Sequence, residues 1–297
     1  MQFASVWVCC ECLRRISLLC FFWRNIIFCR HTQCTLRDLR MEVKGCRCEK
    51  RIKEAIQTTE RKNNMKKYEK YFTKEYMMGP NCIRLADELM KMNGKPLRGR
   101  VLDLGCGCGL TSLYLAQDSG AETVFAQDLW VKAGDNLRRF RDWGVEDKVI
   151  PIHADANDSP FADGFFDAVF SVDAYHYFAR EKGYFQEKIM PLMKKGGCAL
   201  IAVPGLKKEI EGEPPALMTQ WAGDEWTYFH SCAWWKQLIE QGYEDTVTVE
   251  TWESEQNDLI WQEWFDSGHE YALNDQKYLK QGLDEMMSFV LMKITKK

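Results

Sequence analysis

The chain has 297 residues, 46% of them hydrophobic and 13% aromatic, which suits one decorated α/β domain or two small domains with a sizeable core. Its formal net charge of -3 decides little by itself, because the charge is split. Residues 1–64 hold 13 Lys/Arg against 6 Asp/Glu and the remainder 27 against 37, so the body of the chain is acidic and poorly suited to a long nucleic-acid footprint.

Eight of the 13 cysteines fall in residues 1–64. The other five are scattered and odd in number, as free thiols in a reducing, cytoplasmic compartment would be. The stretch "ISLLCFFWRNIIFC" (16–29) is the most apolar in the chain. Arg24 and Asn25 break it, it is shorter than the ~20 residues of a membrane span, and no small-residue cleavage site follows it. Cys9, Cys10, Cys12, His31, Cys46 and Cys48 lack the paired spacing of common zinc modules. At Met65 the text turns into that of an ordinary soluble protein. Residues 1–64 therefore read as a non-native or disordered extension, translated from upstream of Met65, and 65–297 as the functional domain.

From there the elements come in alternation. Residues 65–91 predict one or two lead-in helices. "RVLDLG" (100–105) is a buried parallel strand, followed by a helix over 110–117 with apolar residues at helical spacing. "TVFAQD" (123–128) is the second strand, 135–143 a helix stopped by Gly144, "KVIPIHAD" (148–155) the third strand and "FDAVFSVD" (166–173) the fourth. A helix over 182–194 should end at "KKGG", before a fifth strand at 198–205. Residues 206–230, with Pro214 and Pro215, read as an inserted cap. A helix follows at 231–242 between Ser231 and Gly242. Strands at 246–252 and 288–296 should pair near one sheet edge, with a mostly helical excursion at 253–285 between them. The fold class is α/β: a Rossmann-like, seven-stranded, mostly parallel sheet with helices on both faces, the last strand antiparallel and helical insertions on top.

The chemistry centres on "VLDLGCGCGLTSLYLAQ" (101–117). Gly105, Gly107 and Gly109 alternate where the first strand turns into the first helix, and Asp103 lies two residues ahead of them. Bare backbone lets a ligand approach closely at the carboxyl ends of the strands. A dinucleotide fingerprint would put its third glycine at 110, which is Leu110. Asp128 and Asp155 end the second and third strands. This pattern resembles motif I of the class I S-adenosylmethionine-dependent methyltransferases, D/E-x-G-x-G-x-G. "FDAVFSVDAYHYF" (166–178) and "MKKGGCALIAVPG" (193–205) are similar to the family's fourth-strand and fifth-strand motifs. The likeness runs from Met65 to the C-terminus and is greatest to bacterial small-molecule enzymes of the ubiquinone-biosynthesis and cyclopropane-synthase-like kind.

The resemblance implies S-adenosylmethionine as cofactor. Asp128 would grip the ribose hydroxyls and Asp155, beside Ala156, the adenine amino group. Asp103 would face the ammonium end of the cofactor through water, with the backbone at Gly105 and near Ser171 cradling its methionine tail. Leu129 and Trp130 would pack on adenine, and Tyr71, Phe72, Tyr76 and residues 77–80 would form a lid. Cys106 and Cys108, inside the loop, read as small filler.

Methyl transfer needs a nucleophile held in line in a dry site. The candidates for proton handling follow the fourth strand: Asp173, Tyr175, His176 and Tyr177, with His176 the preferred base and His230 a second candidate. Seven of the 11 Trp lie between 221 and 264, as core beneath a cap or as an aromatic cage for a cationic amine. No metal is signalled. The absence of an "NPPY"-like tetrapeptide after the fourth strand argues against base methylation, so the expected partner is a small molecule and not a nucleic acid. The oligomeric state is unread. Two rivals stay open: a nicotinamide-dependent oxidoreductase on a similar sheet, and a non-catalytic S-adenosylmethionine-binding protein.

Overall fold

In the computed structural model, which describes residues 65–297, β1 (Arg100–Leu104) lies between two parallel neighbours, β2 (Thr123–Asp128) and β4 (Phe166–Val172). Its continuous apolar run follows from that position, since helices and sheet cover both of its faces. The chain first moves outward through β2 to β3 (Val149–His153). It then crosses back to β4 and β5 (Met193–Leu206), giving the order β3-β2-β1-β4-β5-β7-β6. β7 (Met287–Lys296) runs antiparallel between β5 and β6 (Val247–Glu253), as the alternation of both segments predicts. The order reverses at β1 and β4, and a crevice opens there at the carboxyl ends of the strands.

The helices are α1 (Cys82–Asn93), α2 (Leu110–Asp118), α3 (Ala133–Asp142) and the single turn α4 (Tyr175–Phe178), followed by α5 (Ala216–Ala222), α6 (Cys232–Glu240), α7 (Asn257–Asp266) and α8 (Glu270–Leu279). Asn81 starts α1 by accepting from the amides of Ile83 and Arg84, which satisfies two of the orphan donors of its first turn. Ser231 caps α6 in the same way, accepting from the Trp234 amide. α2 is buried at every position from Leu110 to Ala116, so its apolar pattern is broad. The 206–230 insertion folds as α5 plus a 3₁₀ turn over Gly223–Tyr228, and the 253–285 excursion carries α7 and α8.

One expected element is much reduced. Of the helix expected over 182–194, only a π-helical turn over Phe185–Ile189 forms, and β5 already begins at Met193. The "KKGG" glycines fall in an irregularity of the β4–β5 ladder, between the pairs Phe166–Met193 and Ala168–Cys198. There Lys194 reaches across to the Asp167 carboxylate at 2.7 Å. The readings made on residues 1–64, the extension and the cysteine cluster, lie outside the described residues.

The core packs on both sheet faces. Phe125, Phe161, Phe165 and Phe166 meet mostly edge to face. Tyr175, Tyr184 and Trp235 form a second aromatic group under α6. Side chains of this size contribute about 2–3 kcal/mol each when fully buried.

Candidate active site

The turn from β1 into α2 forms the floor of the crevice. The amides of Gly105 and Cys106 donate to the Gln127 carbonyl, which carries the β1–β2 ladder into the loop. Gly105 has a φ of 75°, and a Cβ there would overlap the Cβ of Ala174. Gly109, at φ 89°, starts α2 against the ring of Phe140, where a Cβ would stand 2.5 Å from a ring carbon. Bareness at these positions is thus imposed by neighbouring residues as well as by backbone conformation.

Asp128 holds this loop. One carboxylate oxygen accepts from the Gly107 amide at 2.8 Å, and the other accepts from the amides of Trp130 and Val131 at 2.7 and 2.8 Å. A carboxylate offers about four acceptor positions, so one remains for a ligand hydroxyl. Asp155 accepts from the backbone and side chain of Asn157, both on Oδ1, and so starts a 3₁₀ turn.

The crevice is a cavity of about 270 Å³ that brings together Gly105, Gly107, Asp128, Leu129, Asp155, Ala156 and Asp173 from the expected set. Tyr76, Met78, Gly79 and Pro80 cover it from the lead-in segment, and Trp130, Tyr177 and Phe178 add aromatic walls. Leu129 and Trp130 stand 51% and 68% exposed at the mouth, with Trp130 packed on Tyr177. None of the described residues lining the cavity is Lys, Arg or His.

Several expected residues lie elsewhere. Asp103 is fully buried behind the loop and does not line the cavity. Ser112 donates to one of its oxygens at 2.5 Å, the other has no partner, and burial pushes its carboxyl up to about 7. Ser171 is also sealed in the sheet and donates to the Leu104 carbonyl. Tyr71 sits one ring back from the cavity, packed on Tyr76 and Trp143. Tyr175 belongs to the aromatic core with Phe178, Tyr184 and Trp235. His176, the preferred base, is 2% exposed and does not line the cavity. Burial, aided by Arg180, pushes its imidazole down to about 3. His230 lies beside α6, stacked on Trp234 and bonded to Glu209 at 2.7 Å. None of the seven Trp between 221 and 264 lines the cavity.

Sequence reasoning passed over Cys82, Thr111 and Gln127, which do line it. Gln127 donates to the Asp155 carbonyl and to Ser159, while its buried Oε1 has no partner. A buried acceptor without a partner at a ligand cavity is a natural seat for a ligand donor. Its one signal in the sequence is a polar side chain inside an otherwise apolar strand.

Fold and cleft together define an open crevice at the carboxyl ends of a Rossmann-like, mostly parallel sheet. Residues 101–197 match the family model of a methyltransferase domain. It is 30% identical over 128 residues to tocopherol O-methyltransferase of Arabidopsis thaliana, a match spanning 40% of this chain and 36% of that protein. The chain thus spans about a third of the length of that relative. Among solved structures, phosphoethanolamine N-methyltransferase 2 of Haemonchus contortus superposes with a TM-score of 0.61 at 18% identity, over 74% of this chain and 54% of that one. The cyclase SpnF superposes at 0.54 and 18% identity, over 72% and 80%. Likeness at that level shows the fold alone. Among the described residues no helix is long and apolar enough to cross a membrane.

Proposed function

We propose that the domain binds S-adenosylmethionine in this cavity and passes its methyl group to a small-molecule acceptor, in the cytoplasm. The observation that carries this reading is the lining itself: a bare glycine turn and three carboxylates (Asp128, Asp155, Asp173) with no cationic side chain. Such a site suits a positively charged nucleoside without phosphate. A dinucleotide is disfavoured by the turn itself, whose fingerprint would need a glycine where Leu110 stands. The five described cysteines are all free, which supports a reducing compartment.

The residues present fit the cofactor. Gly105 and Gly107 leave backbone bare to contact, Asp128 retains an acceptor position for a ribose hydroxyl, and Asp155 and the unpartnered Oε1 of Gln127 can accept from the base. S-adenosylmethionine supplies a methyl group already activated by positive sulfur. The protein's work is then to position and to exclude water: Tyr76 and residues 78–80 on one side and Trp130, Tyr177 and Phe178 on the other enclose the space. Asp173 is the one carboxylate that lines the cavity at the end of β4.

Calorimetry with S-adenosylhomocysteine tests the reading. One equivalent should bind, NADH should give no heat, and Asp128→Asn should weaken binding by about tenfold or more, the loss expected on removing a hydrogen bond to a charged group. Absence of binding by both S-adenosylhomocysteine and S-adenosylmethionine would overturn it. Transfer of labelled methyl into a metabolite pool separates an enzyme from a non-catalytic binder.

A further inference from the structure

Asp173 is the one non-glycine residue with positive φ, at 56°, among the described residues. A side chain in the left-handed region costs about 1 kcal/mol or more and persists where the surroundings over-determine it. Its backbone is fixed by the amide, which donates to the Ala202 carbonyl at 2.8 Å. Its carboxylate fills the space where Gly79 would carry a side chain, since a Cβ at Gly79 would overlap Asp173 Oδ2. Chain segments far apart in sequence are thus shaped around this one carboxylate. No described hydrogen bond ends on it.

The surroundings carry a consistent charge. Asp275 of α8 faces Asp173 electrostatically and is itself held by the indole N–H groups of Trp221 and Trp264, at 2.8 Å each. Tyr177 from α4 and Cys82 from the start of α1 also face it. The nearby cation Arg180 is engaged elsewhere, stacked on Tyr228 and donating to the His176 carbonyl. Two neighbouring acids, aromatic walls from Tyr177, Phe178 and Trp130, and no basic residue in the lining favour a cation and oppose a carboxylate or phosphate.

We propose that the acceptor is an aliphatic amine, bound as an ammonium ion by the Asp173 carboxylate and deprotonated by it before transfer. This rests on the methyl-transfer reading. The ammonium gives one proton to the carboxylate, and the freed nitrogen lone pair forms the N–C bond as the methyl–sulfur bond breaks. That bonding pair returns to sulfur, leaving a neutral thioether. The new ammonium keeps its own protons, and Asp173 releases the proton it took to solvent.

The protonation chemistry agrees. Burial, with Asp275 adding to it, pushes the Asp173 carboxyl up to about 8, near the value an acceptor needs to work close to neutral pH. Burial pushes Cys82 up to about 12 and Tyr177 well above the usual phenol value, so both stay neutral between pH 6 and 9. Asp275 is raised by burial as well. Binding a cation should therefore expel a proton from Asp173 at pH 7, and affinity should climb with pH up to about 8.

The test uses the full chain saturated with S-adenosylhomocysteine, titrated with phenethylamine, ethanolamine, phenethyl alcohol and phenylacetate. Calorimetry in two buffers of different ionisation heat, from pH 6 to 9, counts the protons. At least one amine should bind with proton release at pH 7, about tenfold or more tighter than alcohol or acid. Asp173→Asn, which tolerates the left-handed backbone, should weaken the amine by a similar factor. Phenylacetate or alcohol binding as well as the amines, no heat from either amine, or an amine affinity untouched in the variant would overturn the proposal. So would a parallel loss of S-adenosylhomocysteine in the variant, which would assign Asp173 to the cofactor. A wild-type chain that ignores S-adenosylhomocysteine but still binds amine through Asp173 would sink the methyl-transfer reading and leave the amine site standing.

Discussion

Gly105 meets two penalties at once if it gains a methyl group: a left-handed φ of 75° and overlap with the Cβ of Ala174. Ala174 follows the strained Asp173, so it cannot retreat without moving the end of β4. Gly105→Ala should destabilise the fold by about 2 kcal/mol and abolish measurable S-adenosylhomocysteine binding, read by denaturant unfolding and calorimetry. His176 should behave in the opposite way. A general base contributes about 10²–10⁴-fold to rate. His176 is buried, neutral across the working range and outside the cavity lining. His176→Phe should therefore cost less than about tenfold in methyl transfer, well short of a base's contribution. A larger loss with cofactor affinity intact would return the imidazole to the reaction. That Asp128, Asp155, Gly105 and Gly107 meet at one cavity was legible in the sequence because their positions follow from strand registers, whereas Asp103, expected there too, is buried behind the loop. Which candidates after β4 face the cavity was not legible: imidazole chemistry favours His176, but Asp173 and Tyr177 line the cavity while His176 is buried in the core.

The elements divide along the same line. β1 and β2 read correctly because buried parallel strands are short, apolar and bounded. The expected helix over 182–194 failed because "KKGG" looks the same inside a bulged strand as after a helix. The Asp167–Lys194 contact that selects the strand comes from 27 residues away. Long-range contacts also fix the segment that covers the cavity. Glu263 of α7 accepts from Arg84 through both Nε and a terminal nitrogen and from Asn81 at 2.7 Å. It thereby clamps the start of α1, just beyond Met78, Gly79 and Pro80 at the cavity. Glu263→Gln would leave Arg84, at 15% side-chain exposure, without its charge partner. The expected cost is about 2 kcal/mol of stability, with faster amide exchange over residues 77–81 than over β1. Unchanged exchange there would mean the covering segment is held by packing alone.

At the scale of the whole molecule, the sheet order places acids at three strand ends around one crevice, and burial sets the protonation of one of them, Asp173, and of Asp103 behind the loop. Asp103 and Asp173 are raised to about 7 and about 8 by burial, so between pH 4 and 8 the native state binds more protons than the unfolded chain. Their stabilising share is complete below pH 4 and is lost as pH rises through those values. His176 has the opposite sign. With its imidazole pushed down to about 3, the native state binds fewer protons than the unfolded chain from pH 3 to 6.5, and stability falls as pH drops through that window. The two effects oppose each other below pH 6.5, while above it the carboxyls act alone until the raised cysteines join near pH 9. Thermal stability should therefore already fall between pH 5 and 6.5, where two raised carboxyls outweigh one lowered imidazole. From pH 6.5 to 8 the loss should be roughly 2 kcal/mol, or about 4–8 °C in Tm for a domain of this size. Asp173 supplies most of that slope above pH 7, so Asp173→Asn should flatten it, whereas Asp103→Asn should act mainly below pH 7. A Tm that stays flat from pH 6.5 to 8 would mean that both carboxylates are already charged in the folded protein.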